Sequence, residues 1–364
     1  MNLPDLRHEL HRHPELSLCE EWTKEHLMEW LRSRTSMTIR PLERGFLAIK
    51  EPDSETDKGG IALRADYDAL PIKEGNELPY HSLCPGVSHK CGHDGHSAAL
   101  CGLALALEGR KTDRRVVLIF QGAEEIGQGG ESCAAALDEY GVLEVYAFHN
   151  RSGYPENAVI AKSGVTQCAS EGLRVSFFGK ASHASAPEDG INPAAAAAAL
   201  VLHAEAVREK PWEGLVMATV VHVNVGSPDF GISPGEGLVC MTLRAEHERE
   251  LAALENEITG KARELAEQYG LGTEFERQDV FPETVNDPAC TEKVLQAARR
   301  LGLSCIETGE VWRASEDFGY YTKKIPGAMF YIGNGEAYPA LHTMEYDFND
   351  RILETAVNMF KALI

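Results

Sequence analysis

The sequence is short of positive charge, of paired cysteines and of long apolar runs. Lys and Arg number 35 against 56 Asp and Glu, a formal net charge of −21. Such a surface repels phosphate backbones and anionic lipid, so nucleic acid and membranes are poor partners. The 9 cysteines are scattered, none forms a CxxC pair, and no second ligand pair stands at zinc-finger spacing. Unpaired thiols in so long a chain suit a reducing cytoplasm. No apolar run approaches a membrane span; the most apolar, "AAAAAALVL" (194–202), reads as a packed helix. The opening "MNLPDLRHELHRHPEL" has no apolar stretch of the secretory type. A cytoplasmic location is the expectation.

What is present is ordinary in bulk and unusual in places. The 364 residues, 43% hydrophobic and 25% charged, suit a globular protein of two domains. Helical spacing marks "DLRHELHRHPELS" and "CEEWTKEHLMEWLRS". Then "GGIALRAD" (59–66) reads as a strand, "HSAALCGLALALEG" (96–109) as a helix and "RRVVLIFQGAEE" (114–125) as a strand. "SCAAALDEYGVL" reads as a helix and "EVYAFHN" (144–150) as a strand. This alternation predicts an α/β layer with a mostly parallel sheet. Near residue 170 the style changes to alternating apolar and polar residues, as in "EGLRVSFFGKASHASAP", with an Ala-rich helix and a polar helix at 247–269. From about 282 the first style resumes, with a strand at 328–332 and a terminal helix at 349–363. The expectation is one discontinuous domain, 1–170 and 282–364, interrupted by an α+β domain at 171–281.

In open α/β sheets ligands gather beyond the carboxyl ends of the strands. The strand ends deliver Asp66 and Asp68, Glu124 and Glu125, His149 and, past Gly333 and Gly335, His342. Between them lies "HKCGHDGH" (89–96). Each has a plain alternative. Asp94 could cap a helix, with solvated histidines around it. Glu124 and Glu125 could be solvated charge. His149 could be a satisfied core histidine, and Asp66 a turn residue. Capping leaves Cys91 beside His93 unexplained, and five coincidences at five element ends are improbable together.

The chain resembles the amidohydrolase branch of the aminoacylase and carboxypeptidase G metallopeptidases, which includes hippurate hydrolases, N-acyl-amino-acid deacetylases and auxin-conjugate hydrolases. The resemblance rests on "LHRHPELSLCE" (10–20), "LRADYDALPIKE" (63–74), "HKCGHDGHSA" (89–98), "FQGAEE" (120–125), "GKASHASAPEDGINP" (179–193), "SEDFGYY" (315–321) and "LHTMEYDFND" (341–350), in family order. It implies a zinc-peptidase-like catalytic domain and an inserted lid or dimerisation domain. It implies two divalent ions (Zn, Mn, Co or Ni) held by Cys91, His93, Glu125, His149 and His342, with the Cys91 thiolate bridging. Glu124 would be the general acid/base and Asp66 a supporting carboxylate. His183 would reach a neighbouring subunit's site in a homodimer, and Arg244 would hold the substrate carboxylate. The implied substrate is an N-acyl amino acid or small peptide. Such residues suit the task, because an amide is a poor electrophile and water a poor nucleophile, and a metal pair improves both.

Three positions depart from the branch. Gly122 replaces a proline and is expected to loosen the approach to the glutamates. Asn192 replaces an aspartate, and Gly231 stands where an asparagine is usual. Glu316 and Asp317 could support the site or cap the next helix.

Overall fold

The strings "VVLIF", "IAL", "VYAF" and "AMFYI" are apolar on consecutive residues, which suits strands covered on both faces. In the computed structural model, which describes residues 2–54 and 58–364, they form the centre of an eight-stranded sheet. Val116–Gln121, Gly60–Asp66, Val142–Ser152 and Gly327–Gly335 lie side by side, mutually parallel. Gly45–Lys50 and Thr38–Leu42 extend one side antiparallel. On the other, Val159–Ala161 runs antiparallel to Gly327–Gly335 and parallel to Cys305–Glu307.

The helix His93–Leu107 is apolar nearly all round because it is enclosed: it packs on the strand Gly60–Asp66 and against the helices Leu3–Arg12 and Leu353–Leu363. It begins at His93, not at 96 as expected. Gly92, with φ +100°, is the turn before it. Gly95 is inside it, where a β-carbon would lie 2.3 Å from the Phe348 ring. Three further expectations are corrected. "SCAAALDEYGVL" is helical only over Gly130–Ala135, followed by a 3-10 turn, Asp138–Tyr140, that ends at Gly141 with φ +60°. The strand Val142–Ser152 runs on beyond Asn150, so His149 stands inside it and not at its end. The last helix starts at Leu353, after a 3-10 turn, Asp350–Ile352, capped by Asn349.

The chain divides into two compact units, Met1–Thr166 with Thr284–Glu310 and Glu316–Ile364, and Gln167–Glu283 with Val311–Ser315. The second has its own antiparallel sheet, in the order Val216–Val225, Glu236–Ala245, Ala169–Phe178, Gly272–Phe281. Burial alternates along Glu236–Ala245, as one covered face requires. The helices Ala194–Val207 and Glu248–Tyr269 cover that face around Leu173, Val175, Leu200, Met241, Leu243 and Ile258. No helix among the described residues is long and apolar enough to cross a membrane. All nine cysteines are free.

Candidate metal centre

The strand Val116–Gln121 runs into a bend that turns two adjacent glutamates inward. Ala123 takes φ +55°, a left-handed conformation that a β-carbon disfavours. Hydrogen bonds to its backbone hold it. Gly122 donates its N–H to the Arg44 carbonyl at 2.9 Å, Ala123 donates to Glu20 Oε1 at 2.7 Å, and the Ala123 carbonyl accepts from Gln128 at 3.0 Å. The bend is therefore pinned, not loosened, at Gly122. A proline there would lose the bond to Arg44, and a β-carbon would stand 2.8 Å from Glu20 Oε1. Gly122→Pro should lower stability by about 1–3 kcal/mol, read as a lower denaturation midpoint; an unchanged midpoint would refute this account of the bend.

Around that bend the first unit gathers donors from four stretches of the chain. Cys91 Sγ lies 3.4 Å from His149 Nε2 and 3.3 Å from His342 Nε2. His93 Nε2 lies 3.7 Å from Glu125 Oε1 and 3.8 Å from Glu124 Oε2, and His342 Nε2 lies 3.7 Å from Glu125 Oε1. These donors group into two triads that share the Cys91 sulfur, Cys91–His93–His149 and Cys91–Glu125–His342, and a third without it, His93–Glu124–Glu125. His342 is half-exposed; the other donors are enclosed.

The free atoms point at one another. His149 directs Nδ1 to the Asn150 carbonyl at 2.8 Å, so its proton sits there and Nε2 offers a lone pair. Burial holds this ring neutral, well below the usual histidine range. His93 directs Nδ1 to Asp68 Oδ1 at 3.1 Å. His93 Nε2 and Glu125 Oε1 are buried without any hydrogen-bond partner. Orphaned buried polar atoms are costly, and a cation between them would satisfy both. The electrostatics agree. Burial, then the Glu125, Glu124 and Asp66 carboxylates, push the Cys91 thiol well up. Burial opposes charge on His93, yet Asp66, Asp68 and Glu125 outweigh it and lift the ring to about 10. Burial lifts Glu125 to about 7 against the pull of His93. Too many anions share this enclosed space for the protein alone, and a thiol so hard to ionise is a poor redox nucleophile. Divalent cations fit this donor set.

Behind the donors, Arg64 is fully buried and holds three carboxylates. It lies 2.6 Å from Asp66, 2.7 Å from Asp317 and 3.0 Å from Glu316, and its Nε donates to Gln121 at 3.0 Å. Asp317 also accepts from Gly130 N–H at 2.7 Å, and Glu316 from Phe318 N–H at 3.2 Å. Both acids of "SEDF" thus belong to the buried network. Asp66 is 3.9 Å from His93 Nε2 and 2.5 Å from His96 Nδ1. The carboxylate that meets His93 directly is Asp68, which also accepts from Ser17 Oγ at 2.7 Å and Glu125 N–H at 2.9 Å. Sequence reasoning placed Asp68 at the right strand end and gave it no role. It missed His96, which joins Asp66 to Asn150 at 2.6 Å; its signal was its position three residues after His93 on one helix. Asp94 lies in the first turn of the helix and is not its N-cap: its Oδ1 accepts the Gly95 N–H at 2.9 Å and its Oδ2 meets His11 Nδ1 at 2.8 Å.

The remaining residues of interest lie in the second unit. His183, exposed in a two-residue strand paired with Ile232–Ser233, accepts the Ser185 N–H at Nδ1, 3.1 Å away. In the neutral ring the proton is therefore on Nε2. Arg244 donates to Ser315 Oγ at 2.6 Å and to the Arg313 carbonyl. Asn192 accepts the Ala194 N–H at 2.9 Å, which an aspartate would do equally. Gly231 donates to Asp229 at 2.8 Å.

Comparison with known proteins places this architecture. Residues 62–364 match the peptidase family M20/M25/M40. The chain is 30% identical to an N-acetylcysteine deacetylase of Bacillus subtilis, over 99% of this chain and 95% of the relative. It is 27% identical to an N-acetyldiaminopimelate deacetylase of Exiguobacterium sibiricum, over 98% and 96%. A crystal structure from Bacillus subtilis, described as a dinuclear metal-binding peptidase of the M20 family, superposes with a TM-score of 0.83 at 28% identity, over 99% of this chain and 96% of that one. The chain belongs to the peptidase family M20/M25/M40 and is a hydrolase that acts on amide bonds.

Proposed function

We propose that this enzyme removes the acyl group from an N-acyl amino acid or a similar small amide, with Glu124 as the general base. The observation that carries the reading is the pair of donor triads meeting at Cys91 Sγ. Two divalent ions (Zn, Mn, Co or Ni) would be held by Cys91, His93, Glu125, His149 and His342, and when bound would polarise the amide carbonyl and acidify water. The likeness to a dinuclear relative supports two ions over one. The deacetylase names of two relatives support a short acyl group on an amino acid.

The chain's own residues do the rest. Glu124 takes a proton from the attacking water and returns it to the leaving amine as the C–N bond breaks. Its carboxyl suits that exchange: burial, then Glu316, Glu125 and Asp317, raise it well above the usual range. Asp68 orients His93, and Asp66 is held in place by Arg64 and His96. His183, with its Nε2 proton, is a donor for the developing oxyanion, and Arg244 a cation for the substrate carboxylate. The second unit as a lid and homodimer contact, and the reducing cytoplasm, belong to the same reading.

With Mn²⁺, Zn²⁺, Co²⁺ or Ni²⁺ added, the protein should hydrolyse members of a panel of N-acetyl- and N-benzoyl-amino acids, and a chelator should abolish turnover. No turnover across the panel with metal demonstrably bound would sink the proposal. Preference for free-amine dipeptides would make the enzyme a dipeptidase on the same scaffold.

A further inference from the structure

Lys90, one residue before Cys91, is fully buried. A primary amine is taken out of water at a cost that only partners offset. It has two: Nζ lies 2.9 Å from Glu74 Oε1 and donates to the Tyr346 carbonyl at 2.6 Å. Glu74 is itself fixed, by His11 Nε2 at 2.8 Å and the Ser82 N–H at 2.7 Å. The backbone of Lys90 makes a further tie, because its carbonyl accepts the His342 N–H at 2.7 Å. His342 needs holding. Its φ is +63°, left-handed for a residue with a β-carbon. The segment between the strand Gly327–Gly335 and the turn Asp350–Ile352 has no helix or strand of its own. Other ties to it include Gly75 N–H to the Met344 carbonyl, Asn76 to the Glu345 carbonyl, Ser152 Oγ to the Pro339 carbonyl and Asn150 Nδ2 to Tyr346 Oη. Of these anchors Lys90 alone is bonded in sequence to Cys91.

We infer that Lys90 is a positioning residue: its amine and carbonyl hold the His342 segment against Cys91 and so set the affinity of the ion shared by Cys91, Glu125 and His342. This rests on the two-ion reading above. The other triad takes its histidines from the helix His93–Leu107 and the strand Val142–Ser152. Neither accepts a hydrogen bond from the Lys90 amine. The effect of Lys90 is therefore selective for one of the two ions.

The test is Zn²⁺ binding by competition with a chromophoric chelator, for wild type, Lys90→Met, His342→Ala and the double variant. Lys90→Met should bind one ion as wild type does and the second about 10–100-fold more weakly, as loss of an outer support does. The double variant should lose no more than His342→Ala alone, since Lys90 acts through His342; a general structural defect would add instead. Thermal melting of the metal-free chains checks folding. Should Lys90→Met fail to fold, Glu74→Gln takes its place with a smaller loss confined to the same ion. Unchanged affinity for both ions, equal weakening of both, or additive losses in the double variant would overturn the inference. A wild type that takes up fewer than two ions overturns the two-ion reading and this inference with it.

Discussion

Glu124→Gln should reduce kcat by about 10²–10⁴-fold and leave ion binding intact. Glutamine keeps the size and the carbonyl oxygen of glutamate but cannot accept a proton from water. Glu124 is at the inner end of the pinned bend, and belongs with Glu316 and Asp317 to a buried acidic group whose oxygens lie within 4.8 Å of one another. Removing its charge relieves crowding among those acids, so the variant should be no less stable than wild type. Loss of rate without loss of ions or stability separates a proton carrier from a metal ligand. If the variant instead loses an ion, Glu124 is a ligand; if it keeps most of its rate, another group moves the proton. Metal analysis, melting and steady-state kinetics on one preparation decide among these.

The main sheet was legible because its strands are apolar on consecutive residues, a pattern that survives without tertiary context. Glu125 and His342 stood out because each follows a strand, where the topology gathers side chains, and Cys91 with His93 because helix capping leaves that pair unexplained; His149 stands inside its strand. The supports were not. Arg64 and Asp317 are 253 residues apart and meet only in the folded chain. Asp68 looks like Asp66 in sequence, and only the 3.1 Å contact to His93 separates their tasks. Lys90 drew no reading from the sequence, where it stands among polar residues, yet it is wholly enclosed. The helix starts three residues before its expected position, and the glycine inside that first turn, Gly95, answers to the Phe348 ring, which no local pattern can announce. At Gly122 family comparison suggested slack, whereas the Arg44 carbonyl and the Glu20 carboxylate supply the restraint.

Cys91→Ala should cost the most in binding, because its sulfur is the one atom common to both triads. Each triad falls to two donors, and the anion that would sit between the two cations is gone while their repulsion remains. The variant should hold at most one ion, with affinity lowered by more than the ~10–100-fold typical of losing an outer support, and turnover should fall with it. Proton release gives a second, independent reading. Without a cation, burial and the neighbouring carboxylates keep the Cys91 thiol protonated, and His93 is raised to about 10. Both lie above pH 7, so ion uptake at neutral pH must expel those protons, and affinity must rise with pH in that range. The alanine variant has one proton fewer to expel, so its affinity should climb less steeply with pH. Calorimetry in buffers of different ionisation enthalpy counts those protons directly. Equal proton release from wild type and Cys91→Ala would mean that the sulfur never gives up its hydrogen, and a sulfur that stays protonated cannot join two cations.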